Sequence, residues 1–252
     1  MQPEIHTMVV GGTRGIGREV SERFFAAGHR VSVLARKASR CPRGPRLNFW
    51  PVDLADAAVL ESTLTQAIDG NGHLTNLIFL QRFRGRGDVW QGELIVSMNA
   101  TKLAIERLSE KFVAPGKDGT GSIVVMNSHA SQLVADEQSV GYHAAKAALR
   151  QMVRYYACEL AGNGIRVNCV TPGLVLKEEA KSFYKENAEL HELYCRITPL
   201  RRMGTPADVA NAIEFLCSPA ASFITGQEII VDGGLSLLWQ ASLGRQVAGL
   251  AS

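Results

Sequence analysis

The sequence predicts a single α/β domain built on a doubly wound parallel sheet, and three observations support this fold class. Short β-rich runs alternate with longer helical runs along the chain, which is the pattern of repeated βαβ units. The length of 252 residues, 46% of them hydrophobic, suits one globular domain. No internal repeat or linker divides the sequence. We therefore expect one domain over residues 1–252.

The β-rich runs are expected to form strands of one parallel sheet. They lie at His6–Val10, Arg30–Ala35, Leu47–Asp53, Leu74–Leu80, Ser122–Met126, Arg166–Val170 and Glu228–Val231. Crossovers between parallel strands are right-handed, and ligands of such sheets bind at the carboxyl ends of the strands. A binding site is therefore expected at that edge.

The first helix begins near Gly15, and Ile16, Val20 and Phe24 share one of its faces at spacings of four residues. Gly28 is placed to end this helix in a left-handed conformation. Further helices are expected over residues 55–69, 92–112, 139–161 and 206–217. Segment 37–46 holds two prolines and a glycine where a crossover helix would normally lie, so we expect a loop or a single turn there.

Charge and composition exclude several classes of protein. The formal net charge of +3 is too small for a dedicated nucleic-acid binder. No apolar run approaches the length of a membrane span, and the first residues lack the basic start of a signal peptide. The five cysteines and six histidines show no metal-ligand spacing, so no metal site is expected. Reduced thiols in a cytoplasmic protein are the expectation.

A glycine-rich turn joins the first strand to the first helix. Gly11, Gly15 and Gly17 stand in the spacing G-x-x-x-G-x-G. Glycines let the backbone turn tightly and approach a ligand, and the N-terminus of the helix offers free N–H groups to a pyrophosphate. A dinucleotide site is the functional interpretation, and a turn without a ligand is the alternative.

Tyr142 and Lys146 are four residues apart in the helix predicted over residues 139–161. At this spacing they share one face of a helix. A neighbouring ammonium group stabilises a phenolate and lowers the pKa of a tyrosine, as a general acid near neutral pH requires. The motif alone is common, so its weight comes from its combination with the glycine loop.

With these motifs in place, residues 6–235 resemble the short-chain dehydrogenase/reductase family, in a branch of about the length of this chain. Trp90 and Asn99 match the family's tryptophan–asparagine helix, and Asp53 matches its adenine-contacting acid. The other matching positions are Gly11, Gly15, Gly17, Ser128, Tyr142, Lys146, Asn168, Pro172-Gly173, and the C-terminal segments 199–206, 215–218 and 226–234.

The resemblance implies a Rossmann-like sheet of about seven strands in the order 3-2-1-4-5-6-7. It implies that Tyr142 donates a proton to the substrate oxygen, that Ser128 hydrogen-bonds this oxygen, and that Lys146 lowers the pKa of Tyr142 and binds the nicotinamide ribose. Asn99 would hold a water that relays protons to Lys146. Cofactor contacts are expected at Gly11, Thr13, Arg14, Gly15, Ile16, Gly17, Arg36, Asp53, Leu54, Tyr142, Lys146, Pro172, Gly173 and Val175.

The spacing of the serine leaves one alternative open. Ser128 stands fourteen residues before Tyr142, one more than in much of the family. His129 occupies the commoner position, and Ser131 is a second hydroxyl nearby. We interpret the difference as an insertion in the loop and keep Ser128 as the substrate-orienting residue.

The end of the second strand indicates which nicotinamide cofactor is bound. A carboxylate there would hold the 2′-hydroxyl of NAD, whereas a 2′-phosphate needs a guanidinium group. The strand ends Leu34-Ala35-Arg36-Lys37, without a carboxylate. Arg14 and Arg36 together therefore favour NADPH/NADP+, and solvated surface charges are the alternative.

The chain departs from the family after its fourth strand, where Leu80-Gln81-Arg82-Phe83 replaces the usual N-N-A-G. A different bracing of the sheet and a changed pocket wall are implied. Arg82, Arg84 and Arg86 follow; they could attract an anionic substrate, a phosphopantetheine-linked acyl group or a cofactor phosphate, although a solvated basic loop is the simpler interpretation. Lys177 replaces the threonine that often contacts the cofactor.

Two C-terminal regions are expected to complete the domain. A lid is expected at about residues 177–200, with Phe183, Tyr184, Leu190 and Tyr194 lining the pocket or packing the lid onto the body. An amphipathic extension over about residues 235–252 is expected to cover a neighbouring subunit or its own pocket. A homodimer or homotetramer follows from the resemblance.

Three functional hypotheses follow. The leading one is an NADPH-dependent reductase acting on the ketone of a small molecule or of a carrier-bound acyl chain, without a nucleic-acid or membrane partner. The second is NADP-dependent oxidation of a secondary alcohol. The third is a non-catalytic NADP-binding sensor or scaffold, against which the full set of family catalytic residues argues.

Overall fold

The computed structural model describes residues 5–38, 41, 44–85, 87–112 and 121–250 of the chain. The described residues do not include Arg86 or the start of the chain. They also leave out parts of the loop at 37–46 and of the C-terminal extension. Cys41 is in an irregular segment, and Gly44 makes an isolated bridge to Leu47. The described part of the 37–46 segment is thus without a helix.

The sheet has seven parallel strands in the order β3-β2-β1-β4-β5-β6-β7, which confirms the predicted fold class. The strands are β1 (His6–Val10), β2 (Arg30–Ala35), β3 (Leu47–Pro51), β4 (Asn76–Phe79), β5 (Gly121–Met126), β6 (Ile165–Pro172) and β7 (Glu228–Val231). The order reverses between β1 and β4. At such a switch point the loops after the two strands diverge and leave a crevice for a ligand.

The helices flank the sheet on both faces. They are α1 (Gly15–Ala26), α2 (Ala57–Asn71), α3 (Val89–Glu93), α4 (Ala100–Leu108), α5 (Val140–Glu159), α6 (Lys181–Glu186), α7 (Ala188–Ile197), α8 (Pro206–Cys217) and α9 (Gln240–Val247). In the described part of the chain, no helix is both long enough and apolar enough to cross a membrane.

Two hydrophobic cores hold the layers together, one on each face of the sheet. Alternate residues of a strand point to opposite faces, so Met8 and Val10 of β1 join the core under α2, α4 and α5, whereas Val9 joins the core under α1 and α8. All three side chains are almost completely buried. Burial on both faces explains why the strands read as continuous apolar runs.

The helix predicted over residues 92–112 differs most from its prediction. Helix α3 passes into a π-helical segment, Leu94–Asn99, before α4 begins. A π-helical turn holds one more residue than an α-helical turn. Side chains after it therefore face different directions from those that a continuous α-helix would give, and this changes the candidate site.

Candidate active site

Tyr142 and Lys146 lie on the first turns of α5, at the carboxyl edge of the sheet. Ser139 caps the helix, because its side chain accepts a hydrogen bond from the backbone N–H of Tyr142 at 3.2 Å. Lys146 is 3% exposed, and its Nζ donates to the carbonyl oxygen of Met126, the last residue of β5, at 2.8 Å. Nζ lies 5.7 Å from the centre of the Tyr142 ring. The structure thus brings together the predicted pair.

Burial lowers the pKa of Lys146 to about 8, because removal from water disfavours the charged ammonium. The carboxylate of Glu93 opposes this effect, and the charge of Arg82 adds to it. Glu93 is itself 2% exposed and accepts a hydrogen bond from the hydroxyl of Ser97 at 2.8 Å. The protonation of this lysine is therefore set by its burial and by two neighbouring charges of opposite sign.

Ser128 lies two residues beyond the end of β5, at the same edge. Its Oγ accepts a hydrogen bond from the backbone N–H of Ala130 at 3.2 Å, which leaves the hydroxyl hydrogen able to bond a substrate oxygen. The neighbouring His129 has its Nε2 3.3 Å from the carboxylate of Asp232. This contact ties the loop after β5 to the segment after β7.

The glycine loop has the backbone that close approach to a ligand requires. Gly11 has φ +86°, and a Cβ there would lie 2.8 Å from the backbone nitrogen of Gln81. A Cβ on Gly17 would lie 2.2 Å from the carbonyl oxygen of Gly11. Any side chain at these two positions would push apart the first turn of α1 and the strand ends that carry it.

A cavity of about 680 Å³ runs from the glycine loop along the carboxyl edge. Predicted cofactor residues from three different loops line it: Gly11, Thr13, Arg14, Arg36, Asp53 and Leu54. Gln81, Arg82 and Arg84, from the loop after β4, line it as well. These residues fit a dinucleotide, since they combine a free helix N-terminus, four guanidinium groups and an extended cavity.

The remaining predicted cofactor residues frame the cleft without lining this cavity. Ile16 and Gly17 are buried at the start of α1. Pro172 ends β6, and a Cβ on Gly173 would lie 2.6 Å from the Cβ of Asp232. Val175 makes an isolated bridge to Gly204. This second wall is thus built by β6 and the loop that follows it.

Lys177 extends over the glycine loop, since a Cβ on Gly15 would lie 3.2 Å from its Cδ. Burial and the charge of Arg84 lower the pKa of Lys177. The position that the family gives to a threonine therefore carries a partly buried cation against the predicted pyrophosphate site. The lid aromatics pack on one another instead of lining the cavity: the ring centre of Tyr184 lies 5.2 Å from that of Phe183 and 6.2 Å from that of Tyr194.

The structure places Asn99 outside the lining of the cofactor cavity. Asn99 is exposed and lines a separate surface cavity of about 410 Å³ with Leu54 and Glu106. The π-helical segment is the reason, because its wider turn brings Val96 to the cofactor cavity and buries Ser97. Its predicted role of holding a water beside Lys146 stays a prediction.

Residues that replace the family's N-N-A-G segment have specific contacts in the site. Gln81 connects the end of β4 to α4, because its Nε2 donates a hydrogen bond to the Oγ1 of Thr101 at 2.9 Å. Arg82 places its guanidinium carbon 4.5 Å from the centre of the Tyr142 ring and donates to the side chain of Gln138.

The sequence interpretation missed Glu93 and left Arg82 without a contact. A signal for Glu93 was present in the sequence, since it stands four residues before Ser97 and eleven before Ala104, on the buried face of the helical region. No sequence pattern foretold the contact of Arg82 with Tyr142, because it depends on where the loop after β4 ends.

The fold and the site together define a dinucleotide-binding α/β protein with a tyrosine–lysine pair at the mouth of its cleft. Residues 10–236 match the family model described as enoyl-(acyl carrier protein) reductase. A galactitol 2-dehydrogenase (L-tagatose-forming) of Cereibacter sphaeroides is 31% identical over 91% of this chain and 94% of its own length. A tropinone reductase homolog of Arabidopsis thaliana is 33% identical over 91% and 93% of the two chains.

Solved structures agree with this assignment. A protein of Thermus thermophilus superposes with a TM-score of 0.81 at 26% identity, covering 94% of this chain and 100% of its own. An NADPH-bound short-chain oxidoreductase of Pseudomonas aeruginosa, described as containing an atypical catalytic centre, gives 0.80 at 27% identity over 93% and 98% of the chains. The chain belongs to the short-chain dehydrogenase/reductase family, a family of oxidoreductases that bind a nicotinamide cofactor.

Proposed function

We propose that the protein is an NADPH-dependent reductase that converts the carbonyl of a ketone to a hydroxyl group, with Tyr142 as the general acid. The substrate is a small molecule or a carrier-bound acyl chain. The observation that carries the proposal is the position of the phenol of Tyr142 beside a buried, ionisable lysine at the edge of the cleft. When bound, the reduced nicotinamide supplies a hydride to the carbonyl carbon.

The side chains of this chain would handle the proton and the oxygen. Tyr142 donates its phenolic proton to the carbonyl oxygen, and the ammonium of Lys146 stabilises the phenolate that remains. Ser128 donates its hydroxyl hydrogen to the same oxygen, since its lone pairs already accept from the backbone. Lys146 recovers a proton from solvent through polar groups around it.

The preference for NADPH over NADH is supported by two guanidinium groups in the cofactor cavity. Arg14 begins α1, and Arg36 follows the end of β2. Both line the same cavity, so they can converge on a phosphate of the adenosine ribose. The structural relative from Pseudomonas is described as NADPH-bound, which agrees with this choice.

The proposal is tested by Tyr142→Phe, which removes the acidic proton and keeps the ring. NADPH oxidation should be assayed with a panel of ketones, diketones, quinones and acyl thioesters. The variant should reduce the substrates that the wild type accepts at a rate lower by roughly two orders of magnitude or more, while NADPH binding, followed by fluorescence, stays nearly unchanged.

Tyr155→Phe is the matched control, because Tyr155 is on the same helix and 61% exposed. This control should retain the wild-type rate. Retained turnover in Tyr142→Phe would refute the assigned general acid. Faster alcohol oxidation with NADP+ than ketone reduction with NADPH, at neutral as well as alkaline pH, would favour the reverse reaction, to which the name of the Cereibacter relative points.

A further inference from the structure

Positive charge is concentrated around Tyr142, at the end of the cleft opposite to Arg36. The guanidinium carbon of Arg82 lies 4.5 Å from the centre of the phenol ring and the Nζ of Lys146 lies 5.7 Å from it. The charge of Arg82 lowers the pKa of Lys146 and of Lys177. These cations are therefore close enough to repel one another, which costs free energy in the unliganded protein.

Arg82 and Arg84 lack an acidic partner among the residues that the structure describes. None of the ion pairs among the described residues includes Arg82 or Arg84. Arg82 donates instead to the neutral amide of Gln138, which holds its side chain over the ring. Gln138 thus holds the guanidinium group of Arg82 in place, and no ion pair among the described residues compensates its charge.

Arg82 lines the same cavity as Arg14 and Arg36, and its guanidinium group lies over the ring of Tyr142. Arg14 and Arg36 are at the adenosine end, and Lys177 lies over the glycine loop. The nicotinamide end, which must reach Tyr142 for the proposed reaction, carries no anionic group beyond the pyrophosphate. The charge of Arg82 is therefore available to the substrate.

We propose that Arg82, assisted by Arg84, binds a carboxylate that is attached close to the reducible carbonyl, so that the substrate is a 2-oxo or 3-oxo acid. A guanidinium group binds a carboxylate through two parallel hydrogen bonds. The guanidinium carbon of Arg82 lies 4.5 Å from the centre of the Tyr142 ring, so a substrate whose carbonyl oxygen is at the phenol would reach Arg82 with a carboxylate one or two carbon atoms from that carbonyl. This inference rests on the proposed function and names the substrate class of the same site.

The test compares acids with their uncharged esters. Benzoylformate and 3-oxobutanoate, each with its methyl ester, should be assayed with NADPH for the wild type, Arg82→Gln, Arg82→Lys and Arg154→Gln. Arg154 is an exposed arginine of α5 that lines a different cavity, so it controls for loss of a positive charge. The wild type should reduce the acids with a higher kcat/KM than the esters.

Arg82→Gln should lower kcat/KM for the acids about tenfold or more, mainly through KM, because hydrogen bonds to charged groups are the strong ones. The loss with the esters should be smaller than the loss with the acids, although Arg82 also lines the cofactor cavity and lowers the pKa of Lys146. Arg82→Lys should recover part of the loss, and Arg154→Gln should match the wild type. Equal losses with acids and esters would overturn the proposal.

A binding measurement separates this inference from the proposed function. Calorimetry with oxamate, a carboxylate that is not reduced, should detect binding to the NADPH-loaded wild type and weaker binding to Arg82→Gln. If no acid or ester is reduced but oxamate binding depends on Arg82, the reductase proposal fails and the anion site stands. Oxamate binding that is absent, or equal in both proteins, overturns the anion site.

Discussion

The two ends of the cleft differ in how they are built. At the adenosine end, the cavity is shaped by backbone that must come close to a ligand: the glycines of the loop after β1, the N-terminus of α1 and the ends of β2 and β3. At the catalytic end, the surface is made of side chains whose charges act on one another, above all Arg82, Glu93 and Lys146.

This difference explains why the residues at the two ends depart from the family pattern in different ways. A side chain at Gly11 or Gly17 would strike the backbone, so the geometry itself demands glycine there. At the catalytic end, different charges can surround the same phenol, provided that their net effect on the pKa of Lys146 is kept. The unusual Arg82 is accordingly found beside Tyr142, whereas the glycines of the loop are kept and the unusual Lys177 only lies over them.

The largest effect is expected for the adenosine end, from Arg36→Asp. The substitution removes a guanidinium group from the 2′-phosphate and adds a carboxylate that can accept the ribose hydroxyl of NADH. The ratio of kcat/KM with NADH to that with NADPH should rise by roughly a hundredfold, the scale of a lost charged hydrogen bond together with repulsion. Steady-state kinetics with both cofactors measures this ratio.

Arg46→Asp makes the same change of charge at an exposed position that does not line the cofactor cavity. It should leave the cofactor ratio near that of the wild type. An unchanged ratio in Arg36→Asp would remove Arg36 from the phosphate site and leave Arg14 as the candidate there.

A smaller effect, visible in the pH profile, is expected at the catalytic end from Glu93→Gln. The amide keeps an oxygen that can accept from Ser97 but loses the charge that raises the pKa of Lys146. Because Lys146 is charged only below its pKa of about 8, the alkaline fall of kcat/KM should move to lower pH. At pH 8 the rate should drop roughly three- to tenfold, since one pKa unit is a tenfold change.

Arg82→Gln provides a comparison of opposite sign, because the charge of Arg82 lowers the pKa of Lys146. With an uncharged ketone as the substrate, the alkaline fall of kcat/KM for Arg82→Gln should move to higher pH. Glu110→Gln, an exposed position after α4, is the neutral control. Profiles that shift in the same direction for Glu93→Gln and Arg82→Gln would contradict the electrostatic account.

Hydrophobic periodicity was sufficient to predict the strands, and motif spacing was sufficient to predict the Tyr142–Lys146 pair. The order of the strands in the sheet was implied by the resemblance to the family. The bounds of β1, β2 and β7 agree with their prediction, whereas β3 ends two residues earlier, at Pro51. The contact between Arg82 and Tyr142 could not be foreseen, because it joins residues 60 positions apart through a loop without regular structure.

The smallest expected effect concerns Asn99, which the family resemblance places in the catalytic group and the structure places in a separate surface cavity. The resemblance rests on the family's tryptophan–asparagine helix, but in the structure Asn99 follows the π-helical segment into this outer cavity, which it lines with Leu54 and Glu106. Asn99→Ala should therefore change kcat/KM less than about twofold and stability by no more than about 0.5 kcal/mol, as for other exposed positions. Ser97→Ala, which removes the hydrogen bond to the buried Glu93, should disturb the pH profile more than Asn99→Ala does. A loss of activity in Asn99→Ala as large as that in Tyr142→Phe would instead return Asn99 to the catalytic group and require the helix to be regular in solution.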